Sequence, residues 1–145
     1  MKEVVVIIPY VGDRVLMQLR DDNKEIDFPG HWGFFGGSLN EGESAEKAAM
    51  RELFEETEYS PMALHYLKTD QLWSLDDLIS HSFYCFLSES LENLSLNEGM
   101  DWGLFSIDEI QSEYLRSNRF SCLFPVIPHA YVVDTINSIY DKLAT

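Results

Sequence analysis

The chain is short of cations. Its 145 residues carry 10 Lys and Arg against 25 Asp and Glu, a formal net charge of −15. A surface of that sign repels phosphate backbones and anionic lipid, so neither nucleic acid nor a membrane is expected as a general partner. A nucleotide is not excluded, because divalent cations can bridge carboxylates and a polyphosphate. Cysteine is scarce too. Cys85 and Cys122 allow one disulfide, but buried, reduced thiols in a cytoplasmic protein are the expectation. No apolar run approaches the length of a membrane span. No cleavable leader is expected either, since the run Val4 to Ile8 is cut by Pro9 and the turn residues Gly12-Asp13. Repeats and low-complexity stretches are absent. What is present is enough apolar mass for a core, 46% of the residues, and the length suits one domain over residues 1–145.

Residues 3–10 and 14–19 are rich in β-branched and apolar side chains and predict two strands separated by Gly12-Asp13. Residues 21–30 are polar and end in Pro-Gly, a loop. His31 to Gly37 predicts a short aromatic strand. Ser44 is a candidate N-cap for a helix from about Ala45 to Thr57, which Pro61 prevents from extending. Strands are predicted over 62–73 and 81–88 and near Trp102 to Phe105, and Ser106-Ile107-Asp108-Glu109 opens a short helix. Val132, Val133, Ile136, Ile139, Tyr140 and Leu143 recur at helical spacing, so the segment from about Pro128 to Leu143 predicts the last helix. Strands, helix, strands, helix imply an α/β (α+β) fold with a mixed sheet, not a regular βαβ series.

The chemistry concentrates on the helix after Ser44. Glu52, Glu55 and Glu56 stand at i, i+3 and i+4, an arc of about 100° on the helix surface. Like charges so placed repel by a few tenths of a kcal/mol per pair. Arg51 is the nearby cation and can reach Glu55 at i+4. Met50, Leu53 and Phe54 lie roughly opposite, so three acids by themselves are what a solvated helix face looks like.

The surrounding residues separate the two readings. Gly37, Glu43, Arg51, Glu52, Leu53, Glu55, Glu56 and Tyr59 fall in one register: glycine, five residues, glutamate, seven residues, then Arg-Glu-hydrophobic-any-Glu-Glu, closing on a hydrophobic position. This stretch resembles the Nudix box, and the chain is identified on it as a member of the Nudix hydrolase superfamily. It departs at one position: Glu58 stands where the family has glycine, which puts the geometry of the box end in question more than the metal ligands. Phe35 also replaces a common proline.

The resemblance implies a Nudix-like α/β/α sandwich with a loop-helix-loop metal site. It implies that Glu52, Glu55 and Glu56 bind Mg²⁺ or Mn²⁺ and serve catalysis, that Arg51 holds a glutamate in place, and that Glu43 supports the loop or binds metal. Glu98, on the loop before Trp102, is the candidate outside carboxylate for the metal. Gly36 and Gly37 would allow close backbone approach to substrate. Arg20 and His31 are candidates for phosphate, and Phe28, Trp32, Phe34, Phe35 and Trp73 for a nucleobase, although such aromatics more often fill a core. His81 has no evident partner. The expected reaction is hydrolysis of a phosphoanhydride in a small-molecule nucleoside diphosphate derivative, first a (deoxy)nucleoside triphosphate or modified nucleotide. A nucleotide sugar, or a Nudix-fold binding or regulatory module without turnover, stays as the alternative, and a homodimer stays open. The marks of ADP-ribose and diadenosine polyphosphate hydrolases are not found around Ser74 to Asp77.

Overall fold

In a computed structural model, residues 2–26, 28–72 and 77–145 are described. They divide into two compact units: residues 1–10 with 35–97, and residues 11–34 with 98–145. No described helix is long and apolar enough to cross a membrane.

The first unit is a mixed sheet carrying one helix. β1 (Lys2–Val11) lies antiparallel to β4 (Phe35–Ser38) and parallel to β6 (Leu78–Phe86), which pairs antiparallel with β5 (His65–Leu72). β-branched residues supply the central strand, and Val5, Ile7, Phe35, Phe83 and Cys85 are buried. β6 begins three residues earlier than the sequence suggests, and β5 begins three later. Trp73 lies outside the described residues. α1 (Ala45–Thr57) has the predicted bounds and packs against β4 and β6. Ser44 caps it, its Oγ accepting from the Lys47 amide.

The second unit holds β2 (Arg14–Leu19), which pairs antiparallel with both β3 (Trp32–Gly33) and β7 (Asp101–Ser106). The predicted aromatic strand is thus two short strands, β3 and β4, interrupted at Phe34. α2 (Ile107–Ile110) opens with a complete capping box between Ser106 and Glu109. α3 (His129–Leu143) buries Val132, Thr135, Ile136 and Ile139. Sequence periodicity missed a hairpin, β8 (Tyr114–Ser117) with β9 (Cys122–Pro125). Its strands are four residues each, too short for a clear alternation to stand out. Cys122 on β9 is exposed, contrary to the expectation of two buried thiols. Cys85 is buried, and burial pushes its thiol up to about 12.

Glu58 ends α1 in the left-handed region, at φ 61° and ψ 21°, with its amide donating to the Phe54 carbonyl. That conformation is the one a glycine would take without strain. Glu58→Gly is therefore expected to be more stable than Glu58→Ala by about 1 kcal/mol, since the pair differs only in the strained Cβ. Urea unfolding of both variants measures the difference; equal midpoints would contradict it.

Candidate functional site

The helix does not bury the face that amphipathicity suggests. Its inward side is Ala48, Ala49, Leu53, Glu56 and Thr57. Glu56 is 2% exposed, whereas Phe54 is 51% exposed. Phe54 was expected inside with Leu53 and Glu56 outside, and the structure corrects both. Ala49, Leu53 and Glu56 follow i, i+4, i+7, so the carboxylate sits in the stripe that packs inward, and Phe54, one residue past Leu53, is turned about 100° from it. A buried carboxylate costs several kcal/mol unless positive charge or donors meet it. A solvated-face reading therefore does not describe Glu56. Glu52 is half-buried and Glu55 exposed.

Arg51 organises the other acids. Its Nε and Nη2 donate in a fork to the Glu43 carboxylate, both at 2.8 Å. Nη1 donates to Glu52 Oε1 at 2.9 Å and reaches Glu55 Oε2 at 3.3 Å. Nη2 also donates to the Ser38 carbonyl at 3.0 Å. One planar cation thus ties the loop before the helix, the end of β4 and two box glutamates. The Asn40 amide donates to Glu43 as well. The Arg51 hydrogen bonds and then the Asn40 amide lower the Glu43 carboxyl from its ordinary 4.5 to about 2, and the bond to Glu43 raises Arg51 further above its usual value.

The two candidate glycines serve the protein's own packing. A Cβ on Gly36 would meet the Val5 carbonyl, and a Cβ on Gly37 would fall on the Glu52 carboxylate. The close backbone approach predicted for substrate is thus, at Gly37, an approach to a box glutamate.

The far end of the helix is held by residues after β6. Ser95 and Asn97 donate their amides to the carbonyls of Thr57 and Glu56, at 3.1 and 2.9 Å. Asn97 Nδ2 donates to the Glu55 carbonyl at 3.0 Å and to Glu58 Oε2 at 3.2 Å. The carbonyls left over at a helix C-terminus are satisfied from outside the helix. Sequence reading missed Asn97, since nothing local marks an asparagine that caps a helix forty residues away. Glu98 follows directly in the chain and is exposed; its carbonyl accepts from Gln18 Nε2 at 2.9 Å.

The remaining candidates divide. Trp32 is 0% exposed, and its indole N–H donates to the Leu115 carbonyl at 3.0 Å, so the ring is a core element with no face open to a base. Phe35 is also fully buried, and Phe34 is buried edge-on to Tyr131. Arg20 is half-buried, its amide bonded to the His31 carbonyl. Phe28, at φ 52°, lies edge-on to His31. His81 is not isolated: its Nε2 is 2.9 Å from Glu3 Oε1 and its Nδ1 2.9 Å from Thr69 Oγ1, a link across three strands.

Among the described residues no three His, Cys, Asp or Glu side chains are gathered as a ready metal cage. Glu52 and Glu55 are turned to Arg51. The donor set nevertheless fits a hard divalent cation: three carboxylates within two turns, one of them buried, beside a glycine that leaves room for a carboxylate.

The NUDIX domain family matches residues 1–124. The chain belongs to the Nudix superfamily. The fold is shared by the MutT protein from Methanosarcina mazei Go1 (TM-score 0.75, 17% identity, 99% of this chain and 96% of that one). It is shared also by the NUDIX domain of Shewanella oneidensis NrtR, solved with ADP ribose (TM-score 0.72, 20% identity, 99% and 88%). These likenesses bear out the mixed-sheet α+β fold expected from the sequence. An RNA pyrophosphohydrolase of Baumannia cicadellinicola subsp. Homalodisca coagulata is 44% identical over 52 residues, 36% of this chain. The matched stretch spans 32% of that relative's length.

Two outcomes follow from the arginine clamp. Glu43 holds its proton less tightly folded than unfolded, so its contribution is complete above about pH 4.5 and fades as pH falls toward about 2. Denaturant unfolding across that window should show the unmodified protein losing more stability than Glu43→Gln; parallel losses would contradict the pairing. Gly37→Ala should displace the Glu52 carboxylate from Arg51. Exchange of the Arg51 guanidinium protons, followed by NMR, should quicken at least about tenfold, and an unchanged rate would show that the cradle tolerates a methyl group.

Proposed function

We propose that this chain is a divalent-cation-dependent hydrolase that cleaves a phosphoanhydride bond in a nucleoside diphosphate derivative, a (deoxy)nucleoside triphosphate or modified nucleotide before others. The observation that carries this reading is the carboxylate of Glu56 on the buried stripe of the box helix while Phe54 stands in solvent. Folding stability by itself favours the opposite arrangement.

Glu52, Glu55 and Glu56 are the residues that would hold Mg²⁺ or Mn²⁺. The cation, when bound, neutralises the diphosphate and lowers the pKa of water. The chain's own part is positioning. Arg51 fixes the carboxylates of Glu52 and Glu55, Glu43 fixes Arg51, and Gly37 leaves room for the Glu52 side chain. Asn97 and Ser95 hold the helix end that bears Glu55 and Glu56. Because Arg51 also donates to Glu52 and Glu55, the availability of those carboxylates to a metal would depend on how firmly Glu43 retains the guanidinium. Residues 1–145 act as a single domain in this reading, and the family match runs through both compact units.

Two further substrates belong beside the triphosphates. ADP-ribose is the molecule bound in the Shewanella NUDIX domain structure. A 5′-triphosphorylated RNA offers the same bond and is suggested by the name of the short curated match.

The test is a panel of the canonical and oxidised (deoxy)nucleoside triphosphates, ADP-ribose, a nucleotide sugar and a 5′-triphosphorylated oligoribonucleotide, each with Mg²⁺ and with Mn²⁺. At least one should be hydrolysed, and Glu56→Gln should lower that rate about a hundredfold or more. Turnover of none of them with either metal, or undiminished turnover by Glu56→Gln, would overturn the proposal.

A further inference from the structure

A different feature lies in the second unit, an open cleft of about 440 Å³ walled by β2, β7, α2 and β8. Its polar lining is Arg14 at the start of β2, Glu109 on α2, Ser112, whose hydroxyl bonds the Glu109 and Tyr114 carbonyls, Tyr114 and Arg116 on β8, and Asn118 just beyond. β8 alternates: Leu115 and Ser117 are buried, whereas Tyr114 and Arg116 project outward. The hairpin that carries them is the element sequence periodicity did not reveal.

The lining is rich in donors and poor in free acceptors. Its one acid, Glu109, is already engaged: Oε1 accepts from the Ser106 amide and hydroxyl at 3.0 and 3.2 Å, closing the α2 capping box, and lies 3.9 Å from Arg14 Nη1. Arg14 makes one long bond from Nη1 to the Leu104 carbonyl, at 3.4 Å. The Arg116 guanidinium has no hydrogen bond or ion pair among the described residues. Tyr114 is half-exposed and offers a ring as well as a hydroxyl. Two of only ten Lys and Arg in a chain of net charge −15 therefore face one cleft, uncompensated but for a carboxylate committed elsewhere.

A guanidinium matches the oxygens of a phosphate through a planar fork that an ammonium lacks, and both arginines line the same cleft. An aromatic ring at the rim suits a flat organic body attached to that phosphate. We propose that this cleft is a binding site for a phosphate-bearing small anion, held by Arg14 and Arg116 with Tyr114 alongside. It goes beyond the hydrolase reading and does not rest on it, because no box residue lines the cleft. Whether the source is free phosphate or an organic phosphomonoester is set by what surrounds the shared group.

The experiment uses the full chain in low-salt buffer with EDTA, which removes divalent cations from the box. Inorganic phosphate and adenosine monophosphate are titrated separately and followed by amide NMR. The expected result is saturable binding of at least one of them, with shifts at residues 114–118. Affinity should fall about tenfold or more in Arg116→Ala and in Arg14→Ala and stay unchanged in Glu55→Gln. Arg116→Lys should recover only part of the loss, because charge returns without the fork. Tighter adenosine monophosphate identifies an organic phosphate as the ligand class, and equal affinities identify the free anion; either supports the site. No saturable binding of both probes, or binding indifferent to both arginines, overturns it. All variants lie on exposed side chains, and a thermal melt confirms that each is folded before titration.

Discussion

A single guanidinium holds the first unit's chemistry in register. Arg51 meets Glu43 through two parallel bonds and at the same time touches Glu52, Glu55 and the Ser38 carbonyl. Without it, three carboxylates and a carbonyl from a loop, a strand end and one helix would share a small volume with no common donor. With it, each is fixed relative to the others, and the mutual repulsion of acids three and four residues apart is offset locally. Everything else near the box helix is arranged around that contact: Gly37 is bare because the Glu52 carboxylate occupies the space, and Asn40 donates to Glu43 to keep the fork aimed.

The clamp also divides labour among the acids. Glu43, its carboxyl lowered to about 2 chiefly by the Arg51 hydrogen bonds, is a fixed counter-charge to the guanidinium. Glu52 and Glu55 share Arg51 through longer or single bonds and are the easier ones to redirect. Glu56 sits apart on the inward stripe beside Leu53. The arginine is thus held firmly by one carboxylate, through a fork, and more loosely by the two others.

Much of this was legible in the sequence because it is local. The bounds of α1, the Ser44 cap and the start of the short helix at Ser106 are set by residues within a turn of one another, and the register from Gly37 to Tyr59 carries the family. What was not legible depends on partners distant in the chain. Trp32 looks like a candidate for stacking on a base until the Leu115 carbonyl, eighty-three residues on, accepts its N–H. His81 looks solitary until Glu3 arrives on a parallel neighbour strand. The face that α1 buries was misjudged because average amphipathicity weighs Phe54 above Glu56, and the structure buries Glu56 and exposes Phe54.

Glu58 and Asn97 have a consequence for how this protein can be altered. The carboxylate that replaces a box glycine is held by the amide of Asn97, which also seals the Glu55 carbonyl. The two positions make a single joint, half of it inside the box and half on a remote loop. A box transplanted from a relative with glycine at its end would bring a relaxed backbone and leave the loop's amide short of one acceptor. Transplanted outward, this box would carry a strained residue into a chain with nothing to hold it. The signature is portable as a pattern of letters; as a piece of matter it ends at residue 97, not at Tyr59.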